Sequence, residues 1–292
     1  MTPHVSWRCR ERTLHLGARP LVMGILNVTP DSFSDGGRYA TVETAIQHGL
    51  DMAAAGADLI DVGGESTRPG AQTVAPDDEA RRVIPVIRAL ARAFANQPGA
   101  PVLSVDTRKA TVAQQALEAG AHIINDVTAL EGDPAMVGVA CDYGAGVILM
   151  HMRGEPATMQ QSPSYADVVA EVTAYLAGRV SALTSAGLKG ETLAVDPGIG
   201  FGKTVEHNVK LMAGLRPLVA LGQPVVVGLS RKSFLSKITG CEAAHRLIGS
   251  VAGAVWAAGQ GVHVWRVHDV AESVEAARLV GLLREETATW NG

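Results

Sequence analysis

At 292 residues the chain is long for an ordinary domain but usual for one closed α/β barrel. It is 47% apolar with only 4% aromatic residues and 32 glycines, enough to fill a large core of closely packed helices and strands. A net charge of −4, with no basic run longer than two residues, gives no electrostatic footprint for nucleic acid. The three cysteines, Cys9, Cys141 and Cys241, are odd in number and lack C-x-x-C spacing, so they read as free thiols in a reducing compartment. Arg8, Arg10 and Arg12 are not followed by an apolar stretch, which argues against a signal peptide. Apolar runs fall well short of the ~20 residues that cross a bilayer. The expectation is a cytoplasmic protein without membrane or nucleic-acid partners.

Val5 to Leu16 reads as a short hairpin placed to cap the bottom of a barrel. Leu21 to Leu26 is an apolar run bounded by turn residues, hence a buried strand, and Thr41 to Gly56 has helical spacing with a Thr start and a Gly stop. The alternation then repeats. Strands are predicted at 57–62, 101–106, 121–125, 147–150, 193–196, 225–228 and 262–267. Helices are predicted at about 77–95, 109–120, 134–143, 164–186, 204–221, 233–239, 243–259 and 270–285. Continuously apolar strands alternating with helices imply a parallel sheet covered on both faces. Eight such units imply a (β/α)8 TIM barrel, a single domain spanning 1–292 with the barrel proper at about 20–285. An open doubly wound sheet is the competing architecture; the count of eight and the lack of G-x-G-x-x-G after the first strand weigh against it.

In such a barrel the chemistry lies at the C-terminal strand ends and in the loops after them. Here those ends read Asn27, Asp61, Asp106, Asn125, Met150/His151, Asp196, Ser230/Arg231/Lys232 and Arg266/His268. They offer carboxylates and amides but no Ser-His-Asp set, no G-x-S-x-G and no H-E-x-x-H. Asp106, Asn125 and Asp196 suit a flat, nitrogen-rich ring with paired N–H donors, or else cap the helices that follow. Arg68, Lys232, Arg266 and His268 make a phosphate or pyrophosphate site if they converge, and solvated surface charge if they do not. Asn27 with Asp106 could place Mg²⁺, a hard ion that prefers oxygen ligands and bridges to phosphates. Met150 serves equally as pocket lining or as gap filler. Trp256, in an Ala- and Gly-rich helix, reads as core or subunit interface. The stretch after the first strand, 27–37, is long for its place and carries Phe33, as a lid would. Asp196 to Lys203 packs a proline and three glycines into a turn after a buried strand, which lets a ligand approach the main chain.

These stretches together resemble the dihydropteroate synthases. The resemblance rests on the segments 23–37 and 61–70, which are highly specific. Ser104-Val105-Asp106-Thr107, Ile124-Asn125-Asp126-Val127, Leu149-Met150-His151-Met152, Asp196-Pro197-Gly198, the segment 228–233 and the segment 266–270 follow in order, from about Val22 to Val270. Such enzymes join 6-hydroxymethyl-7,8-dihydropterin pyrophosphate to p-aminobenzoate and release pyrophosphate. The resemblance implies that Asp106, Asn125, Asp196 and Lys232 hold the pterin, with Met150 and Phe201 nearby. It implies that Asn27, Thr67, Arg68, Arg266 and His268 hold the pyrophosphate, with Mg²⁺ at Asn27 and Asp106. Phe33, Thr67, Pro69, Phe201, Lys232 and Ser233 would frame the p-aminobenzoate pocket, where sulfonamides compete. Asp106, Asp196, Lys232, Arg266 and His268 would carry a dissociative substitution, and a homodimer is expected. Two other functions fit a pterin-binding barrel: a pterin-dependent methyltransferase, which should lack the Phe33 and Arg68-Pro69 loops, and a non-catalytic paralogue, in which the reacting groups should have decayed.

Overall fold

A computed structural model of the chain describes residues 5–28, 42–66, 73–155, 158–242 and 245–289. It opens with an antiparallel pair, β1 (Val5–Cys9) and β2 (Arg12–Leu16). Eight parallel strands follow: β3 (Leu21–Asn27), β4 (Leu59–Gly63), β5 (Val102–Asp106), β6 (Ile123–Asp126), β7 (Gly146–Met150), β8 (Leu193–Asp196), β9 (Val226–Val227) and β10 (Val264–Val267). Each pairs with its neighbour in the chain, β10 pairs back onto β3, and a parallel bridge from Val195 to Val225 joins β8 to the start of β9. The sheet therefore closes, as the count of eight units predicts.

Helices cover it outside: α1 (Val42–Ala54), α2 (Pro76–Phe94), α3 (Ala110–Ala119), α4 (Met136–Tyr143), α5 (Val168–Ser185), α6 (Val205–Ala213), α7 (Arg216–Val219), α8 (Ser233–Thr239), α9 (Leu247–Gly259) and α10 (Val270–Thr289). The helix expected over 204–221 is two helices. Gly214 ends α6, close against Val169 of α5, and Pro217 sits in the first turn of α7, where its missing N–H costs nothing. The helix expected from 164 begins at Val168, because the Asp167 side chain takes the N–H groups of Val169 and Ala170 as an N-cap.

Strand alternation sorts the core into two bodies. Val22, Ile60, Leu103, Ile124, Val147, Val195, Val227 and Trp265 pack outward against the helices. Met23, Leu59, Val102, Ile123, Ile148, Ala194, Val226 and Val264 pack inward, with Trp7, Cys9 and Leu16 of the hairpin among them. The hairpin thus plugs the N-terminal end of the barrel, as the sequence suggests. Trp7 is fully buried and its indole Nε1 donates to Thr192 O at 2.9 Å. Arg10 reaches Leu117 O and Ala121 O, both at 2.8 Å. Cys9 lies directly beneath Gly146, and burial pushes its thiol well up, so it is a protonated core residue. Cys141 and Cys241 are free and exposed, as the odd count and spacing imply. No helix among the described residues is long and apolar enough to cross a membrane.

Trp7→Ala should remove both the plug and its hydrogen bond, lowering unfolding free energy by ~3–5 kcal/mol. Urea denaturation followed by circular dichroism measures this; a loss near zero would mean that the hairpin is peripheral.

Candidate active site

Continuing the inward alternation to the strand ends brings Asn27, Asp61, Gly63, Asp106, Asn125, Met150, Asp196 and Arg266 to one mouth. Asn27, Gly63, Asp106 and Asn125 stand level in the register of β3, β4, β5 and β6. Gly63 matters by what it lacks. A Cβ there would lie 3.4 Å from Asp106 Cβ and 3.7 Å from both Asn27 Oδ1 and Asp106 Oδ2. The two oxygens therefore overlook one small space.

Asp61 lies one step deeper and is fully buried. Its Oδ2 accepts from Asn125 Nδ2 at 2.8 Å and from Arg266 Nε at 2.7 Å. Arg266 Nη2 donates to Asp106 Oδ2 at 2.7 Å. One guanidinium thus ties β10 to β4 and β5 across the barrel interior. Burial alone would lower the Arg266 pKa, but Asp61 and Asp106 outweigh it and the side chain holds its proton more tightly than usual. Burial drives Asp106 up to about 7; Arg266 opposes this, while the nearby Asp61, Glu79 and Asp126 carboxylates add to it. Anchored through Nδ2, Asn125 leaves its Oδ1 to face away from Asp61.

The opposite wall is built on β8. Asp196 is buried, and its Oδ1 accepts from Gly198 N at 2.7 Å. Burial raises its pKa, while Lys232 and the Gly198 N–H oppose that rise. Gly198, Gly200 and Gly202 all have left-handed backbones, at φ 65°, 84° and 60°. A side chain on Gly198 would collide with the His151 carbonyl, and one on Gly202 with the Arg153 carbonyl. The turn needs its glycines for close packing as well as for conformation. Lys232 reaches over it, donates to Ile199 O, and sets its ammonium 4.6 Å from the centre of the Phe201 ring. Burial lowers Lys232 to about 8 despite the pull of Asp196. Met150 pairs with Asp196 in the β7–β8 register and is buried against Gly198, so it lines this wall.

The remaining strand-end residues divide. His268 places its backbone N–H and its Nδ1 each 3.2 Å from Ser230 Oγ. Arg231, at φ 57°, turns away from Lys232 and pairs with Asp269. Ser233 opens α8 and is exposed. Phe33, Thr67, Arg68 and Pro69 lie outside the described residues, as does most of the stretch read as a lid. Glu65, just before the second of these segments, pairs with Arg108 and Lys109 and takes Val74 N–H just after it, so one carboxylate ties both flanks. Trp256 is 54% exposed and donates to Met212 O at 3.0 Å, which excludes the core reading.

Sequence reasoning gave no role to Asp61 or to Lys203. Asp61 carries a signal, since it sits two residues before Gly63 on the inward face of a strand. Lys203 carries a fainter one, as the residue that closes a glycine-rich turn.

The profile of the pterin binding enzymes matches residues 23–268. The dihydropteroate synthase of Escherichia coli is 48% identical over 263 residues, 90% of this chain and 91% of that one. The enzyme of the same name from Synechocystis is 42% identical over 91% of each. Among solved structures, a Yersinia pestis dihydropteroate synthase in complex with a sulfonamide drug superposes with TM-score 0.89 at 45% identity, covering 96% of this chain and all of that one. A Xanthomonas albilineans dihydropteroate synthase with 4-aminobenzoic acid gives 0.87 at 47% identity, over 97% of this chain and 99% of that one.

Asp61→Asn should lower the Asp106 titration midpoint from near 7, by about one pH unit or more. Removing the neighbouring negative charge favours the Asp106 carboxylate, and Arg266, released from Asp61, favours it further. Carboxyl ¹³C NMR against pH reads this directly, and an unmoved midpoint would break the proposed coupling.

Proposed function

The chain belongs to the pterin binding enzyme family, and from that premise we infer that it is a dihydropteroate synthase. It condenses 6-hydroxymethyl-7,8-dihydropterin pyrophosphate with p-aminobenzoate to 7,8-dihydropteroate and pyrophosphate. The observation that carries this reading is that the polar mouth of the barrel lies within a stretch alike from end to end in enzymes of that activity. A methyltransferase or a non-catalytic paralogue has no comparable support.

In this reading Asp106, Asn125 and Asp196 accept from the N–H edge of the pterin, and Lys232 donates to it. Met150 and Phe201 flank the ring. Asn27, Arg266 and His268, with Thr67 and Arg68, take the pyrophosphate. Phe33, Thr67, Pro69, Phe201, Lys232 and Ser233 form the p-aminobenzoate pocket, the site open to sulfonamides.

The bond between the pterin's exocyclic methylene carbon and the pyrophosphate oxygen breaks, and its electron pair leaves with pyrophosphate. The dihydropterin ring delocalises the positive charge left behind. Asp106 and Asp196 in a low-dielectric wall favour that charge, and Arg266 and His268 favour the departing anion. The aryl amine of p-aminobenzoate, neutral near pH 7, then donates its lone pair to the methylene carbon and loses a proton to water. No general base or covalent enzyme intermediate is required, in keeping with a mouth made of carboxylates and amides.

Mg²⁺ is the proposed cofactor. Asn27 Oδ1 and Asp106 over the side-chain-free Gly63 suit an ion that takes few protein oxygens and completes its shell with water and substrate phosphates. Among the described residues no cage of three or more acidic, His or Cys side chains offers a competing site. When bound, the ion supplies positive charge to the leaving pyrophosphate. The protein is proposed to work in the cytoplasm as a homodimer. A run of exposed apolar side chains on α9 and α10, with Ile248 81%, Leu279 58% and Leu282 61% exposed, is the surface proposed to be shared, Trp256 among them.

Purified protein with the dihydropterin pyrophosphate, p-aminobenzoate and Mg²⁺ should form dihydropteroate and pyrophosphate in equal amounts. Pyrophosphate alone would leave the p-aminobenzoate pocket misassigned, and neither product would remove the reading. Chelation should stop the reaction and added Mg²⁺ restore it. Asn27→Ala should raise the Mg²⁺ needed for half activity at least about tenfold, the scale seen even for partners one shell further from a metal; an unchanged requirement would take Asn27 off the metal.

A further inference from the structure

Beneath the Asp196 wall lies a charged group that the reaction as derived does not use. Lys203 is 2% exposed, yet its side chain ends in an ammonium. Nζ donates to Gly198 O at 2.9 Å and Phe201 O at 3.0 Å, and lies 3.0 Å from His151 Nδ1. An ammonium can only donate, so that imidazole nitrogen accepts and His151 is neutral. Burial, together with the Lys203 charge, pushes His151 down to about 3, which agrees. Burial lowers Lys203 itself to about 7 despite the opposing pull of Asp196.

The turn above is unusual in where its carbonyls go. Within residues 198 to 202 one backbone bond forms, from Phe201 N to Gly198 O at 3.1 Å, and each carbonyl also takes a side chain. Gly198 and Phe201 take Lys203, Ile199 takes Lys232, Gly200 takes Gln160 at 2.6 Å, and Gly202 takes the Tyr165 hydroxyl at 2.9 Å. Two lysines hold one turn by its carbonyls, Lys232 through Ile199 and Lys203 through Gly198 and Phe201. Asp196 stands at the head of that turn with a cation on either side. Lys203 touches no space open to a ligand, so whatever it does for the reaction it does through its neighbours.

We propose that Lys203 is a positioning residue for the pterin: it fixes the turn that carries Phe201 and anchors Lys232, and it places a positive charge behind Asp196. This rests on the reading of the mouth as a pterin site. Of the groups assigned to pyrophosphate, Asn27 stands on β3 and Arg266 on β10, where Arg266 bonds to Asp61 and Asp106 and not to a carbonyl of the turn. Loss of Lys203 should therefore act on one half of the substrate and spare the other.

The test is calorimetric titration of wild type and Lys203→Met with 6-hydroxymethylpterin, and separately with inorganic pyrophosphate and Mg²⁺. Methionine keeps the length and bulk of the side chain and removes its donors and charge. The variant should bind the pterin at least about tenfold more weakly, or 1.4 kcal/mol, with pyrophosphate affinity within a factor of about two. Equal losses for both probes, or no loss for either, overturn the proposal. Should the variant fail to fold, wild-type protein labelled with ¹⁵N at the lysine side chains decides the matter, with Lys203→Arg assigning the signal. Pterin should move the Lys203 ammonium resonance and pyrophosphate should leave it, and a resonance indifferent to saturating pterin overturns the proposal. Wild-type protein that binds no pterin removes the underlying reading instead, an outcome distinct from a variant that binds as well as wild type.

Discussion

A guanidinium held between two carboxylates at the upper end of a closed barrel is the contact on which the mouth is organised. Asp61 and Asp106 on neighbouring strands would repel each other, and burying unpaired charge is costly. Arg266, entering from β10, makes that arrangement tolerable with one bond of 2.7 Å to each. Buried charges of this kind do not make a protein exceptionally stable, since desolvation consumes most of what pairing returns. What they do is fix positions. Asp61 holds Asn125 as well as Arg266, so a residue with no exposed surface orients an amide and a cation at once. With Asp196, Lys232 and Lys203 on the other wall, the interior carries three acids balanced by three bases. Such a site is polar without being strongly charged, and it suits a ligand that must gain positive charge at one end while losing an anion at the other.

The barrel is divided along its axis. From Trp7 up to the level of Leu59 and Val102 the interior is apolar and closed; from Asp61 upward it is polar. The change occurs within two residues of a single strand, β4, where Leu59 and Asp61 point the same way. The lower half carries the stability, as hydrophobic burial does in any core. The upper half is thereby free to keep groups that burial penalises, an arrangement common where function is built into a fold.

Much of this could be read from the sequence, for reasons that differ by region. The strands were legible because both faces are buried and the apolar runs are unbroken. Their inward residues were legible because the side-chain period is two, so Asn27, Asp106, Asn125 and Asp196 declare themselves as strand ends. The break between α6 and α7 was less so, since one glycine inside a helical pattern is often tolerated and only the packing of Gly214 on Val169 decides the matter. The link from Arg266 to Asp61 spans 205 residues of chain and leaves no trace in any local pattern. Arg231 and Lys232 are adjacent, similar and opposite in fate. A left-handed backbone at Arg231 sends one to Asp269 and leaves the other at the mouth. Lys203 closes a glycine-rich turn, and its burial follows from the curl of the chain from 198 to 202 back over it.

The plug formed by Trp7, Cys9 and Leu16 has a kinetic meaning as well as a structural one. A barrel stoppered at its foot is a blind well, with one opening for arrivals and departures alike. Molecules in such a well form a queue in which the deepest occupant must be first in and last out. Asp61, Asn125 and Asp196 are buried within the well, whereas Ser233 is exposed at the start of α8. Order of traffic is thus written into the depth of the polar residues, with no moving part needed to enforce it.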